Sequence, residues 1–143
     1  MFTIRRGKRT DCVALQALLF PEDSGELGKA AARHWRRLAQ DPAHDFYVAE
    51  RDGTLWGMLL VSYVRALRNP GWQAVLDTAV LQTASPDISR ALLRFAKERA
   101  RKRGCQVLTC SAPSDQHSPQ MLLELLMEDG FQHSGAILYC SLI

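Results

Sequence analysis

The sequence predicts an α/β fold with a mixed central β-sheet flanked by helices on both faces, and three observations lead there. Two alternating apolar runs, Asp45–Arg51 (DFYVAER) and Thr54–Val64 (TLWGMLLVSYV), are separated by Asp52-Gly53, a dipeptide that favours a two-residue hairpin turn. A third run, from Trp72 to about Leu81, is followed by the helical pattern ISRALLRFAKERARKRG and then by the β-branched run CQVLTCSA, a strand, crossover helix and strand. An antiparallel first half ahead of a βαβ unit gives a mixed sheet, and the crossover through the helix is expected to be right-handed.

Taken in order, Phe2–Arg5 is expected to form a first strand, with Thr10 capping a short helix that runs to Leu18 or Leu19 and stops at Phe20-Pro21. Asp23 and Glu26 have capping-box spacing. Leu27, Ala31, Trp35 and Leu38 then recur at helical intervals, so a second helix is expected over Glu26–Gln40, with Arg33, His34, Arg36 and Arg37 around its polar side. The hairpin follows, and Arg68-Asn69-Pro70-Gly71 breaks the chain before the Trp72 strand. In the central helix, about Asp87 to Arg103, the residues Ile88, Ala91, Leu92, Phe95 and Ala96 share one face. Beyond CQVLTCSA, SPQMLLELLMEDGF is a shorter helix ending at Gly130-Phe131, and FQH and AILYCSLI are expected as a final strand pair. No internal repeat or interdomain linker interrupts the pattern, so residues 1–143 are expected to form one domain.

Composition narrows the function classes. With 47% hydrophobic and 23% charged residues, the chain has the makeup of a globular protein with a real core. No run approaches the roughly 20 apolar residues needed to span a bilayer, and MFTIRRGKRT lacks the apolar centre of a signal peptide, so a cytoplasmic location with no membrane partner is expected. Cys12, Cys105, Cys110 and Cys140 form no CxxC pair and share no ligand spacing with the histidines, which argues against a metal site. Cys105, Cys110 and Cys140 lie in apolar strand contexts and are expected to be reduced core residues. Arg90, Arg94, Lys97, Arg99, Arg101, Lys102 and Arg103 gather on one helix, but no aromatic residues are interleaved with them to stack bases, so a solvated face is expected rather than nucleic-acid binding. The sequence is compatible with a homodimer and carries no signal that fixes the oligomeric state.

The ordered elements from TIRRGKRTD, through FYVAERDGTLWGMLLVS, to Gly130-Phe131 resemble the GNAT N-acetyltransferase superfamily over nearly the whole chain. The resemblance implies a GNAT-like mixed sheet and acetyl-CoA as co-substrate, with the pantetheine arm along Ala79, Val80, Leu81 and Gln82. It places the pyrophosphate at the turn from Thr83 into the next helix, implicating Ser85, Ser89 and Arg90, because helix N-termini offer N–H groups to anions. ISRALL matches the family's usual helix start, whereas the preceding turn is about one residue short and has none of the family's glycines. Ser85-Pro86-Asp87 instead reads as N-cap, N1 proline and a dipole-complementing acid. Asp87 would repel a pyrophosphate unless it points away or Arg90 and its neighbours compensate.

For the chemistry, the resemblance puts the acid that commonly precedes the cofactor strand's valine at Asp77, either a base acting through water or an ordinary polar strand residue. An oxyanion donor is implied at a backbone N–H near Val80 or Leu81. The family's thiolate-protonating tyrosine, four residues before the Gly-Phe glycine, is replaced here by Leu126, leaving that role empty, to water, or to Ser111, His117 or Tyr139. Arg33, Arg36 and Arg37 could meet an acceptor's carboxylate or phosphate, or be ordinary exposed helix cations. Three readings stand at this point: an acyl-CoA-dependent N-acetyltransferase acting on a small-molecule or protein amine, a non-catalytic relative acting as ligand sensor or interaction module, and an RNA binder that uses the basic helix.

Overall fold

The computed structural model describes residues 1–19, 28–65, 71–81, 85–110, 119–132 and 140–142. It contains two compact units, Met1–Cys110 and Ser111–Ile143. The first holds β1 (Thr3–Arg6), a 3-10 turn (Arg9–Asp11), α1 (Cys12–Leu19), α2 (Lys29–Gln40), β2 (His44–Arg51), β3 (Thr54–Arg65), β4 (Trp72–Leu81), α3 (Pro86–Lys102) and β5 (Leu108–Cys110). The second holds α4 (Pro119–Glu128), whose Leu125 and Leu126 are buried.

The sheet runs β1-β2-β3-β4-β5, with the first three pairings antiparallel and β4–β5 parallel, which is the mixed sheet the sequence predicts. Asp52 and Gly53 take φ values of 52° and 75°, the paired left-handed conformation of a two-residue hairpin turn. Alternation along the strands sorts the core into two layers. Phe46, Val48, Met58 and Leu60 face one way, with Leu15 of α1 among them and Leu18, Trp35, Leu38, Leu55 and Val80 packed against the cluster. Trp35 meets Phe46 edge to face at 5.5 Å. The opposite face receives α3 through its buried Ile88, Leu92, Leu93, Ala96 and Ala100, and Phe95 meets Tyr47 edge to face at 4.8 Å.

Polar contacts fix the ends of these layers. The Arg99 Nε donates to the Tyr47 hydroxyl at 3.1 Å, and Arg103 donates to the Pro42 carbonyl at 3.0 Å and to the Asp45 carboxylate at 3.1 Å. The C-terminal end of α3 is therefore tied to the start of β2, at the sheet end away from the β4–α3 connection. On the first strand, Arg5 makes a two-pronged contact with Asp11 at 2.7 and 2.8 Å and a further bond to Glu50 at 2.7 Å. That guanidinium holds the Asp11 carboxyl below the usual carboxylate range. Gly7 follows directly: a Cβ there would lie 1.7 Å from the Phe46 ring, so only glycine lets the chain pass.

Several expected boundaries are corrected. β1 sits one residue later than Phe2–Arg5. Thr10 lies inside the 3-10 turn rather than capping a helix, and the Asp11 carboxylate does the capping by accepting the Lys8 N–H at 2.7 Å. α2 starts at Lys29 with Gly28 as its N-cap, three residues after Glu26; Asp23, Glu26 and Leu27 lie outside the described residues, and Ala31 is exposed. β5 (Leu108–Cys110) starts three residues after Cys105, because the Cys105 N–H still bonds the Ala100 carbonyl and so belongs to the helix end; Ser111 and Ala112 lie outside the described residues. Cys105 is buried, but Cys140 is exposed and outside any strand, so it is not a core thiol. Of the expected final strand pair, Phe131, Gln132 and Cys140–Leu142 are not in strand, and the remainder lies outside the described residues.

Candidate active site

Asp77 sits at a break in the sheet register. Leu60 faces Thr78 while Val61 faces Leu76, so Asp77 is the extra residue of a β-bulge in β4. A bulge bends its strand and re-aims the side chain it carries. Val75, two residues earlier, is opposite Ser62, which puts Asp77 on the layer that α1 and α2 cover. Asp77 is exposed, whereas Ser62 on β3 is buried and donates its hydroxyl to the Asp77 carboxylate. No arginine pairs with Asp77 among the described residues; its partner is a neutral hydroxyl.

Beyond the bulge, β4 continues as Ala79, Val80 and Leu81, paired with Leu59, Met58 and Gly57 of β3. β5 pairs with β4 earlier, at Ala74, Val75 and Leu76. Ala79 is buried and Val80 packs on the α1/α2 layer. Gln82, and Thr83 and Ala84 of the following turn, lie outside the described residues.

The helix start is where the sequence places it. Ser85 is the N-cap of α3 and Pro86 is in its first turn, but the Ser85 side chain makes no capping bond; its carbonyl accepts the Ser89 N–H at 3.3 Å and the Ser89 hydroxyl at 3.4 Å. Ser89 is buried against the sheet, so its hydroxyl serves the helix rather than facing outward. A helix start without a side-chain cap keeps first-turn N–H groups available to an anion. Asp87 is turned out to solvent, its side chain 90% exposed, and Arg90 lies 3.8 Å from its carboxylate. Both conditions for relieving the expected charge conflict are thus met in part.

Other candidates divide. Cys110 ends β5, and burial pushes its thiol above the ordinary range, the opposite of an activated nucleophile. Leu126 is buried in α4. Ser111, His117 and Tyr139 lie outside the described residues. Arg33, Arg36 and Arg37 are exposed on the side of α2 away from Trp35 and Leu38. Sequence reasoning passed over Ser62; its one signal was a lone polar residue between Val61 and Tyr63 in an otherwise apolar strand.

A mixed sheet with a bulged fourth strand, followed by a helix without a side-chain cap, is the arrangement that the resemblance to the GNAT superfamily leads one to expect. The acetyltransferase (GNAT) family model matches residues 11–125, and the chain belongs to that family. Among solved structures it is similar to a transcriptional regulator from Bacillus halodurans C-125 (23% identity, TM-score 0.79, covering 98% of this chain and 100% of that one). It is also similar to the aminoglycoside antibiotic 6'-N-acetyltransferase AAC(6')-Ih from Acinetobacter baumannii (17%, TM-score 0.78, 99% and 97%). A third is AAC(6')-Iy in complex with the bisubstrate analog CoA-S-monomethyl-acetylneamine (12%, TM-score 0.79, 99% and 97%). No curated protein sequence matches the chain. No described helix is long and apolar enough to cross a membrane.

Proposed function

We propose that the chain, acting as one domain over residues 1–143 in the cytoplasm, transfers an acetyl group from acetyl-CoA to the amine of a small molecule or protein, without a nucleic-acid partner. The observation that carries this reading is the bulge at exposed Asp77, two residues before Ala79 and three before Val80. Acetyl-CoA supplies an activated acyl group as a thioester. Ala79, Val80, Leu81 and Gln82 would line its pantetheine arm, and the start of α3 with Ser85 and Arg90 would hold its pyrophosphate, with buried Ser89 fixing that turn through its two bonds to the Ser85 carbonyl. The AAC(6')-Iy neighbour, in complex with a CoA bisubstrate analog, supports acetyl-CoA as the co-substrate.

Asp77 would take the proton of an incoming ammonium, directly or through one water, since only the neutral amine has a lone pair to attack. As the C–N bond forms and the C–S bond breaks, backbone N–H groups near Val80 and Leu81 would face the carbonyl oxygen. Leu126 has no proton to give, so the departing thiolate would take one from water or from Ser111, His117 or Tyr139. Release of CoA thiol from acetyl-CoA, followed across a panel of primary amines containing sisomicin, spermidine and an alanine-terminated peptide, tests the proposal. Asp77→Asn should lower turnover while leaving acetyl-CoA affinity nearly unchanged, as loss of a base does.

Two observations favour the second reading, a fold relative without catalysis that works as a ligand sensor or interaction module: buried Leu126 in place of the tyrosine, and the glycine-free turn before Pro86. Binding of acetyl-CoA in calorimetry with no thiol release from any amine would favour it over the transferase.

A further inference from the structure

Ser62 has the features of a group that serves another. It is buried, on the strand next to Asp77, and its hydroxyl donates to a carboxylate that is itself exposed. The two residues are diagonal neighbours: Ser62 stands opposite Val75, and Asp77 follows two positions later on the same face. An exposed aspartate on a regular strand samples several side-chain orientations. At a bulge the backbone turns one residue out of the ladder, and the next fixed point must come from a neighbouring strand. Ser62 supplies that point from beneath, leaving the outer oxygen of the carboxylate to the solvent side. Its neighbours along β3 and across on β2 are apolar or engaged elsewhere. Leu60 and Met58 belong to the core cluster, and His44, the residue directly across from Ser62 on β2, has its Nδ1 3.1 Å from Asp41.

We infer that Ser62 is a positioning residue for acyl transfer: its hydroxyl orients the Asp77 carboxylate so that one oxygen is held and the other is aimed at the incoming amine. The inference rests on the reading of Asp77 as the base. Among the described residues the partner of Asp77 is this hydroxyl and no cation, so the contact orients the carboxylate without forming an ion pair.

Three substitutions separate hydrogen bonding from packing. Ser62→Ala removes the hydroxyl, Ser62→Cys preserves the side-chain shape with a poor donor, and Ser62→Thr keeps the donor while adding a methyl group. The assay follows CoA thiol release with the best amine of the panel above. Ala and Cys variants are expected to lose about tenfold in kcat with KM for acetyl-CoA unchanged, and the Thr variant to recover most of it, while thermal midpoints vary independently of rate. In the Asp77→Asn background the same Ser62 substitutions should have no further effect. A Thr variant slower than the Cys variant makes the role one of packing and overturns the inference. Equal effects of Ser62→Ala with and without Asp77 also overturn it. If Asp77→Asn retains full turnover, or no amine in the panel releases CoA, the base reading fails and the inference falls with it; if Asp77→Asn is slow and Ser62→Ala is not, only the inference falls.

Discussion

Tyr63 on β3 donates its hydroxyl to the Asp45 carboxylate at 2.5 Å, and Asp45, at the start of β2, is 0% exposed. The other carboxylate oxygen accepts from Arg103 at 3.1 Å, with Arg6 4.0 Å away. A buried carboxylate costs desolvation and persists only when its lone pairs are filled, which is why two strands and the end of α3 converge on this one side chain. The Arg103 guanidinium also lies 4.3 Å from the centre of the Tyr63 ring, so the cation is held by a charge and an aromatic face together.

Removing the acid should therefore do more than delete one contact. Asp45→Ala would strand the buried Tyr63 hydroxyl and leave the partly exposed Arg103 without its carboxylate, and a loss of about 1–3 kcal/mol is expected in denaturant unfolding. Loss of less than about 1 kcal/mol would mean that water reaches the cluster and screens it. Because Asp45 faces α3 while Asp77, level with it along the sheet, is on the opposite face, acetyl-CoA affinity of the folded variant should be unchanged in calorimetry.

The tyrosines of this cluster carry a pH signature. Burial, and then the bond toward Asp45, pushes the Tyr47 phenol from 10.0 up to about 12, with Arg99 pulling the other way; burial and Asp45 push Tyr63 up as well. Both phenols hold their protons more tightly in the folded chain than in the unfolded one. Their contribution to stability is complete below pH about 10 and is lost as the pH rises through about 12 for Tyr47. Phenolate absorbance should rise only with unfolding in this window. Tyr47→Phe should keep the Phe95 contact and flatten the alkaline loss; an unchanged alkaline midpoint would count against the assignment.

Much of this was legible from residue pattern. The hairpin was readable because Asp52-Gly53 fits one turn type, and α3 because its apolar stripe at Ile88, Leu92 and Ala96 repeats at the helical period. The start of α2 was misread because Asp23 and Glu26 have capping-box spacing, while the residue that caps is Gly28, which has no side chain to signal it. The bulge at Asp77 could not be read at all. Alternation in LDTAV looks regular in one strand, and the offset exists only in the register with β3. Ser62 was hidden for the same reason: its meaning depends on a neighbour fifteen positions away in sequence.

Gly7 offers a test of packing close to the first strand. Its N–H donates to the Phe46 carbonyl at 2.7 Å, and the Phe46 ring occupies the space where a Cβ would be. Gly7→Ala must push Phe46 off Trp35, so a loss of about 1–3 kcal/mol is expected from thermal or denaturant melting. Pairing it with Phe46→Leu should recover part of that loss by opening the space. A neutral Gly7→Ala would place the chain before α1 differently.

The last prediction concerns the helix start. Asp87 stands where the family places glycine, yet it is 90% exposed and Arg90 lies 3.8 Å from it, so its repulsion of a pyrophosphate is screened by solvent and partly offset by the neighbouring cation. Asp87→Asn should tighten acetyl-CoA binding by only about two- to fivefold at low salt, with the gain fading as ionic strength rises. Arg90→Ala should weaken binding by more than Asp87→Asn strengthens it, since it both removes a cation near the anion and uncovers the acid. Calorimetric titrations of acetyl-CoA at two salt concentrations read all of these. A weaker Asp87→Asn complex would show that the carboxylate is not acting against the ligand, and the anion would then have to bind away from the first turn of α3.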